Sequence, residues 1–424
     1  MSDFTVFDRQ VLTNGKDSLF VRLTCSVDSG LLGIDPVSVD LAEGLSYPSP
    51  MVSITFVDMV GDLFNTSKID PDSVYWLYMG RNEADIVDCP MKATKIKFHN
   101  QSLSKSEDII FTIQFAHIGW YEMVAKKHNR SWSEVRISDV VTDLVTEGNY
   151  TSLDIMDTPR FHRRLIQPHW SNIVFMNWLR KLNDPSLTDQ YGHIEYGSTL
   201  TGKFIFKTLA QMVNQQSDNA RNGRVPVLRL RGQLEEDTDR MDETNAGDAY
   251  FVRFDVNDHY MNSIIGGSGG IRSLWYDSEI DEFYDSRVKY SNSNSVQMTE
   301  FGAIKDVHET TDKLFLGGRD RMTDARSLHE VSNAINSTVS FDVILENTPR
   351  LNIGDMVEVV IPTPYTDAQD PFNSIYSGFY IVGSVIHSAE FAKNTNMTKL
   401  TLIRSGYDSP DLEGYVSSST GRFI

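Results

Sequence analysis

Leu351-Asn352-Ile353-Gly354-Asp355-Met356-Val357-Glu358-Val359, then Ser377-Gly378-Phe379-Tyr380-Ile381-Val382-Gly383-Ser384-Val385-Ile386-His387, then Leu400-Thr401-Leu402-Ile403-Arg404: these three runs decide the fold. Each reads as a strand bounded by turn chemistry. Val357, Val359 and Ile361 fall at a period of two, and Pro362 and Pro364 stop the run because proline cannot donate to a ladder. Phe379, Ile381, Gly383, Val385 and His387 are expected on one face of the next run, with Tyr380, Val382 and Ser384 on the other. Just upstream, Val339, Phe341, Val343 and Leu345 repeat the period of two. Asn347, Pro349 and Gly354 break the chain on either side of Leu351. Four consecutive strands with short to medium loops predict an antiparallel sheet that curls into a barrel or sandwich to hide its edges. None of these strands carries a group that looks catalytic.

The spacing of Leu351, Gly354, Asp355, Val357, Gly378, Tyr380, Val382, His387, Leu400, Leu402 and Arg404 carries a resemblance. It is similar to the final barrel of the baseplate hub of contractile phage tails, a module related to the base of the type VI secretion spike protein. No single dipeptide is specific; the order and spacing together are. The resemblance extends upstream. Val135, Ile137, Val140, Val141, Leu144 and Val145 predict an amphipathic helix within Ser131–Asn149, stopped at Gly148-Asn149. A second helix is expected over Ser171–Leu182, capped by Ser171, with Phe175, Trp178, Leu179 and Leu182 as its stripe. Strands should follow between Tyr191 and Phe206. This order resembles the helix-then-strands insertion of hub and spike proteins. Pro50–Phe64, Lys92–Asn100 and Asp108–His117 read as strands of a first tube-type barrel, with Phe111, Ile113 and Phe115 opposite Thr112, Gln114 and Ala116.

Composition limits the class independently. A chain of 424 residues has room for two to four domains with sizeable cores. Its 40% hydrophobic and 23% charged content is that of a globular protein. Aromatic residues at 11% suit abundant β structure. No run approaches the ~20 apolar residues that span a bilayer, and Met1-Ser2-Asp3-Phe4 leads into no basic region followed by an apolar stretch, so a secretory signal is not expected. Cys25 and Cys89 are too few for a disulfide framework, so free thiols and folding in the cytosol are expected. The net charge of −19 argues against a surface that grasps nucleic acid, which works by neutralising phosphates. An acidic wall would still suit a conduit past which DNA slides.

The middle of the chain says least. Gln233–Asp258 is acid-rich and reads first as a solvated loop, then as a strand over Asp248–Asp258 with Tyr250, Val252, Phe254 and Val256 on one face. Gly266–Gly270 lacks the Gly-Lys-Ser/Thr that a phosphate cradle needs and reads as a loop tip before an extended Ile271–Tyr276. Gly317–Arg321 reads as a loop before a helix over Thr323–Asn336. His308-Glu309 and His329-Glu330 lack the second His of a zinc-protease helix, and no Gly-x-Ser-x-Gly elbow is present. His387, Tyr380 and Trp178 are expected to pack in walls and interfaces rather than hold ligands.

The resulting expectation is a mainly β protein with α+β insertions, built from two tube-type antiparallel β-barrels of related design. The first barrel spans 1–118, an α+β inserted domain 119–205, and the second barrel 206–235 with 320–406; 236–319 is a β-rich insertion and 407–424 an arm or linker toward a spike. The resemblance implies a homotrimer that joins a six-fold tail tube to a three-fold central spike, with wedge proteins as further partners. It also implies DNA only in passage, no membrane insertion, no cofactor, no metal and no catalysis. Two other classes stay open: the base of a secretion or injection spike, and a carbohydrate-cleaving virion enzyme on a β scaffold.

Overall fold

The computed structural model describes residues 4–12, 18–26, 34–45, 47, 49–58, 69, 72–80, 86–99, 109–159, 161–182, 194–230, 249–258, 271–277, 282–288, 305–308, 339–345, 351–361 and 376–404. Seven strands come first: β1 (Phe4–Leu12), β2 (Ser18–Cys25), β3 (Asp35–Gly44), β4 (Met51–Asp58), β5 (Tyr75–Gly80), β6 (Val87–Phe98) and β7 (Ile109–His117). A mixed region follows: α1 (Ile118–Ala125), β8 (Lys127–Arg136), α2 (Ile137–Thr146), β9 (Ser152–Ile155), β10 (Phe161–Ser171), α3 (Asn172–Leu179), β11 (Ile194–Ser198), β12 (Lys203–Thr208) and α4 (Leu209–Arg221). Then come β13 (Val227–Leu230), β14 (Ala249–Asp258), a small sheet of β15 (Ile271–Asp277), β16 (Glu282–Val288) and β17 (Lys305–His308), and finally β18 (Val339–Leu345), β19 (Met356–Val360), β20 (Gly378–Glu390) and β21 (Thr395–Arg404).

One 13-stranded sheet runs β1-β2-β5-β6-β7-β4-β3-β20-β19-β13-β14-β18-β21, and β21 pairs back onto β20. That return closes a six-stranded barrel, β20-β19-β13-β14-β18-β21, around Phe251, Phe341, Val343, Leu345, Val357, Val359, Leu400 and Leu402. The first seven strands curl around a separate core of Val21, Leu23, Val52, Ile54, Phe56, Tyr75, Phe111, Ile113 and Phe115. Their two outer strands, β1 and β3, are drawn together by an Arg9–Asp35 ion pair at 2.7 Å. A third core, with Val140, Leu144, Phe175, Leu179, Phe204 and Phe206, lies in the mixed region.

The two barrels share a strand layout. In the first, five neighbours run β5-β6-β7-β4-β3; in the second, β19-β20-β21-β18-β14. Numbered by chain order, both read third, fourth, fifth, second, first, and all four pairings in each are antiparallel. Even the irregularities match. The fourth strand bulges at one extra residue, Thr94 in β6 and Gly383 in β20. The first strand bulges at Val37 in β3 and Val252 in β14. Counting from those bulges, Ile54 corresponds to Val343 and Phe56 to Leu345, and all four are fully buried. The remaining positions differ: β13 runs parallel to both of its neighbours, β14 and β19, whereas the hairpin of β1 and β2 is antiparallel throughout.

Several local expectations are corrected by tertiary pairing. Only Ile137–Thr146 of the first predicted helix is helical. Ser131–Arg136 belongs to β8, because its backbone pairs with β10 and His128, Arg130 and Trp132 alternate inward. The helix then ends as expected near Gly148, whose N–H bonds Val145 O at 2.8 Å, and Asn149 turns left-handed at φ 53°. Ser171 stands at the N-cap of α3 without a side-chain hydrogen bond, and a 3-10 turn over Arg180–Leu182 carries Leu182 into the core. In β14 the Val252 bulge breaks the predicted alternation: Val252 is exposed, while Phe251, Phe254 and Val256 face the core. In β20 the Gly383 bulge brings Val385 and His387 into phase with Val382 rather than Ile381. The strand β14, read from sequence as part of an insertion over 236–319, is hydrogen-bonded between β13 and β18 of the closed barrel. The predicted loops at Gly266–Gly270 and Gly317–Arg321, the helix over Thr323–Asn336 and the arm over 407–424 lie outside the described residues.

Candidate functional site

Two barrels and the mixed region meet at one seam, built on the long strand β20. Its first residues pair with β19, and Ser384–Glu390 continue past the end of β19 to pair with Gly44–Ser38 of β3. One strand therefore belongs to both barrels: Val385 packs in the second core and Ala389 in the first. Leu45 N–H donates to Gly383 O at 2.8 Å, so the bulge of β20 receives the end of β3. Beyond the backbone, Ser388 Oγ donates to Asp40.

The Leu351–Asp355 turn forms the second side of the seam. Gly354 has φ +83°, a left-handed conformation that costs any L side chain, which is why glycine serves here. Gly354 N–H donates to Val382 O at 2.8 Å and Val382 N–H donates to Asp355 O at 2.8 Å, fastening the turn to β20. The Asp355 carboxylate accepts the N–H of Asn352 at 2.8 Å. Gln216 on α4 clamps the same turn from outside: its amide nitrogen donates to Gly354 O at 2.8 Å and its oxygen accepts Met356 N–H at 2.6 Å. Nothing in the strand pattern announced α4, but Leu209 and Met212 at helical spacing, and Thr208 accepting Gln211 N–H as N-cap, mark it in retrospect.

The mixed region supplies the third side. Between β11 and β12, Leu200 inserts into the first core, while Ile205 packs in the second. Gly197 permits the approach, because a Cβ there would lie 2.6 Å from Gly44 O and 2.8 Å from Ile353 Cδ1. Leu200 N–H donates to Glu43 Oε1 at 2.5 Å. Glu43 is buried, 6% exposed. Burial pushes its carboxyl up to about 7, with the Asp355 charge adding to the rise and the Leu200 bond opposing it. Asp355 is likewise raised by burial.

The signature residues named from sequence gather around this seam and the barrel it closes. Leu351, Val357, Tyr380, Val382, Leu400 and Leu402 are core residues, and Gly354 and Asp355 make the turn. Gly378 starts β20 at φ 132°. Arg404 is buried, with its guanidinium 4.6 Å from the Tyr380 ring centre. His387 is half-buried in the wall, its Nδ1 3.0 Å from Thr398 Oγ1. The arrangement is structural chemistry: ladders, a clamped turn and shared cores.

A groove of about 690 Å³ lies elsewhere, between β8 and α2, lined by Arg130, Ser131, Trp132, Asp143, Thr146 and Glu147. Its carboxylates are engaged. Trp132 Nε1 donates to Asp143 at 3.1 Å, and Glu147 accepts Arg130 and Asn172. Burial raises the Glu147 carboxyl, but those two donors outweigh it and hold the group below its usual range, the reverse of what a general acid needs. Among the described residues no group of three or more His, Cys, Asp or Glu could hold a metal ion, and no helix is long and apolar enough to cross a membrane.

No protein-family profile matches the chain, and no curated protein matches it in sequence. Solved structures do match in shape. The 43 kDa tail protein of prophage MuSo2 from Shewanella oneidensis aligns at a TM-score of 0.54 and 9% identity, over 91% of this chain and 96% of that one. A tail protein from Neisseria meningitidis MC58 aligns at 0.53 and 8% identity, over 88% and 93%. A chain of the Francisella PdpA-VgrG complex aligns at 0.50 and 11% identity, over 95% of this chain and 60% of that one. This chain has the mainly β fold of phage tail proteins, which it shares with a chain of the PdpA-VgrG complex.

Proposed function

We propose that this protein is a structural hub of a phage tail: three copies form a ring that seats a three-fold central spike on one side and a six-fold tail tube on the other. The observation that carries this reading is the repeated strand layout, with bulges at equivalent positions in both barrels. Three copies of a chain holding two similar barrels present six similar surfaces. Closed symmetry then lets one assembly face a hexagon and a triangle at once. The domain division follows: a first barrel to about residue 118, the mixed region over 119–205, and a second barrel from 206–235, β14 and 320–406. The remainder of 236–319 is an insertion, and 407–424 is an arm reaching the spike. The net charge of −19 suits a channel wall that DNA passes without adhering. Work of this kind is mechanical and needs no catalytic group, and baseplate wedge proteins are the outer partners.

The base of a secretion spike is the second reading, supported by the likeness to a chain of the PdpA-VgrG complex. Sedimentation of the full chain tests the ring. A mass of three copies, alone or with tube and spike proteins, is the expected result; a monomer under every condition overturns it. Turnover of cell-wall or polysaccharide substrates, lost on replacing one carboxylate, would replace both readings with an enzyme.

A further inference from the structure

The junction within the chain leaves two strand edges that match it and have no partner among the described residues. In the second barrel, the part of β20 beyond its Gly383 bulge is covered by β3. In the first barrel, the equivalent part of β6 beyond its Thr94 bulge extends past β5, which pairs only with Val87–Met91. Its other edge is taken by β7, and Lys95, Ile96, Lys97 and Phe98 are all exposed, the two apolar ones at 40%, with the Phe98 ring 5.8 Å from that of Phe111. The counterpart of β3 is β14. Its residues before the Val252 bulge pair with β13, and those after it, Arg253–Asp258, pair only with β18. A bare edge that displays isoleucine and phenylalanine is a template for another strand.

We propose that Lys95–Phe98 of β6 in one copy pairs antiparallel with Arg253–Asp258 of β14 in a second copy of this chain, repeating between copies the β3–β20 junction that exists within one. This rests on, and specifies, the ring proposed above. The register transfers from the bulges. Val385, two residues past Gly383, faces Glu43, six past Val37, and His387 faces Leu41. The same offsets put Ile96 opposite Asp258, Lys97 opposite Asn257 and Phe98 opposite Val256, with His99 opposite Asp255. The pairs follow the pattern of the junction within the chain: Ile96 opposite Asp258 repeats Val385 opposite Glu43, an aliphatic residue against an acid. Phe98 meets Val256, beside Phe254, on the inward side; Val256 and Phe254 lie against the second core. Lys97 lies diagonal to Asp255 on the outward side, where Asp255 stands 3.5 Å from Arg253 within its own copy. His99 opposite Asp255 occupies the place of Ser388 opposite Asp40, which are hydrogen-bonded. Each copy offers one edge of each kind, so the contact is head-to-tail and closes only as a ring.

A disulfide tests the register in the full chain. Directly opposed residues in an antiparallel pair stand about 4.5–5.5 Å apart at Cα, within the reach of an S–S bridge. The natural Cys25 and Cys89 are buried and do not compete. Under mild oxidation the Lys97→Cys, Asn257→Cys double variant should give a covalent ladder ending at three copies. Equal parts of the two single variants should give only a covalent dimer, and each alone none. Trimers by sedimentation without this cross-link overturn the strand pairing and leave the ring standing. Monomers throughout, with tube and spike proteins present, overturn the ring as well. A cross-link by Lys97→Cys alone means like edges meet and also overturns the pairing. If the double variant does not fold, charge reversal replaces it: Lys97→Glu should lower the trimer fraction about tenfold, and Asp255→Lys on that background should restore it. No change in either overturns the proposal.

Discussion

The two barrels solve one geometric problem with different residues. The first buries Phe56 stacked on Phe111 at 5.4 Å, and the second buries Phe341 stacked on Phe254 at 5.2 Å. The extra residue at the fourth-strand bulge is Thr94 in one and Gly383 in the other. The glycine stands where the bulge accepts Leu45 N–H and a Cβ would sit 3.2 Å from Thr401 O; the threonine stands on an exposed stretch. Layout is therefore kept where strands must pair, and side chains differ where one copy of the layout is covered and the other is bare.

The sharpest way to break the comparison is to empty each core. Phe56→Ala and Phe341→Ala should each destabilise by about 3–5 kcal/mol, the cost of removing a buried aromatic and leaving a cavity. Both should shift a single unfolding transition, because β20 belongs to both cores. Calorimetry that resolves two transitions, with each variant moving only one, would mean that the barrels fold as separate units.

Next is the buried acid at the seam, Glu43, whose place six residues past the bulge is taken by Asp258 in β14. The Glu43 carboxyl is raised from an ordinary 4.5 to about 7, so the folded state holds a proton that the unfolded chain releases between those values. This group's contribution to stability is therefore complete below about 4.5 and is lost as pH climbs toward 7, a difference on the order of 3 kcal/mol. Glu43→Gln keeps an oxygen to accept Leu200 N–H and removes the titration. Denaturant unfolding should find it close to the natural protein at pH 4.5 and more stable by up to about that 3 kcal/mol at pH 8. Parallel stability curves for the two proteins across that range would remove Glu43 from the seam's energetics.

How far the sequence disclosed this fold depends on what each signal reports. The period of two in Val339–Leu345 and in Ile109–His117 is local, and the strands are where it placed them. The turn at Gly354-Asp355 was legible because a left-handed glycine and a side chain that accepts a backbone N–H are both local needs. Bulges are not local. Val252 and Gly383 reverse the alternation around them, and only the partner strand says where the extra residue falls. Ser131–Arg136 fits a helical spacing and a strand equally well, and β10 decides. The seam itself was invisible: Glu43, Leu200 and Gln216 are brought together by pairings across 157 and 138 positions of chain, and nothing in their neighbours marks them.

The bulge exchange sharpens the comparison at lower cost. Gly383→Thr copies the first barrel's residue into the second and should cost about 1–3 kcal/mol, since the new side chain meets a backbone oxygen that cannot retreat. The reverse change, Thr94→Gly, should cost about 1 kcal/mol or less on an exposed strand. Equal losses in the two would mean that the seam adds no constraint at the bulge.

A smaller loss than that of Gly383→Thr is expected at the turn. A Cβ at Gly354 meets Ile205 and Met212 only at 3.6 Å, an ordinary contact, so space is not what glycine provides. Its φ of +83° is. Gly354→Ala should therefore lose about 1–2 kcal/mol from backbone strain alone. Gly354→Asn should lose less, because asparagine tolerates the left-handed region better. The two clamping bonds to Gln216 run from backbone atoms of Gly354 and Met356 and survive either change. Equal losses for alanine and asparagine, measured by denaturant midpoint, would shift the cause from conformation to packing and unseat the reading of this turn as a fastening made by backbone geometry.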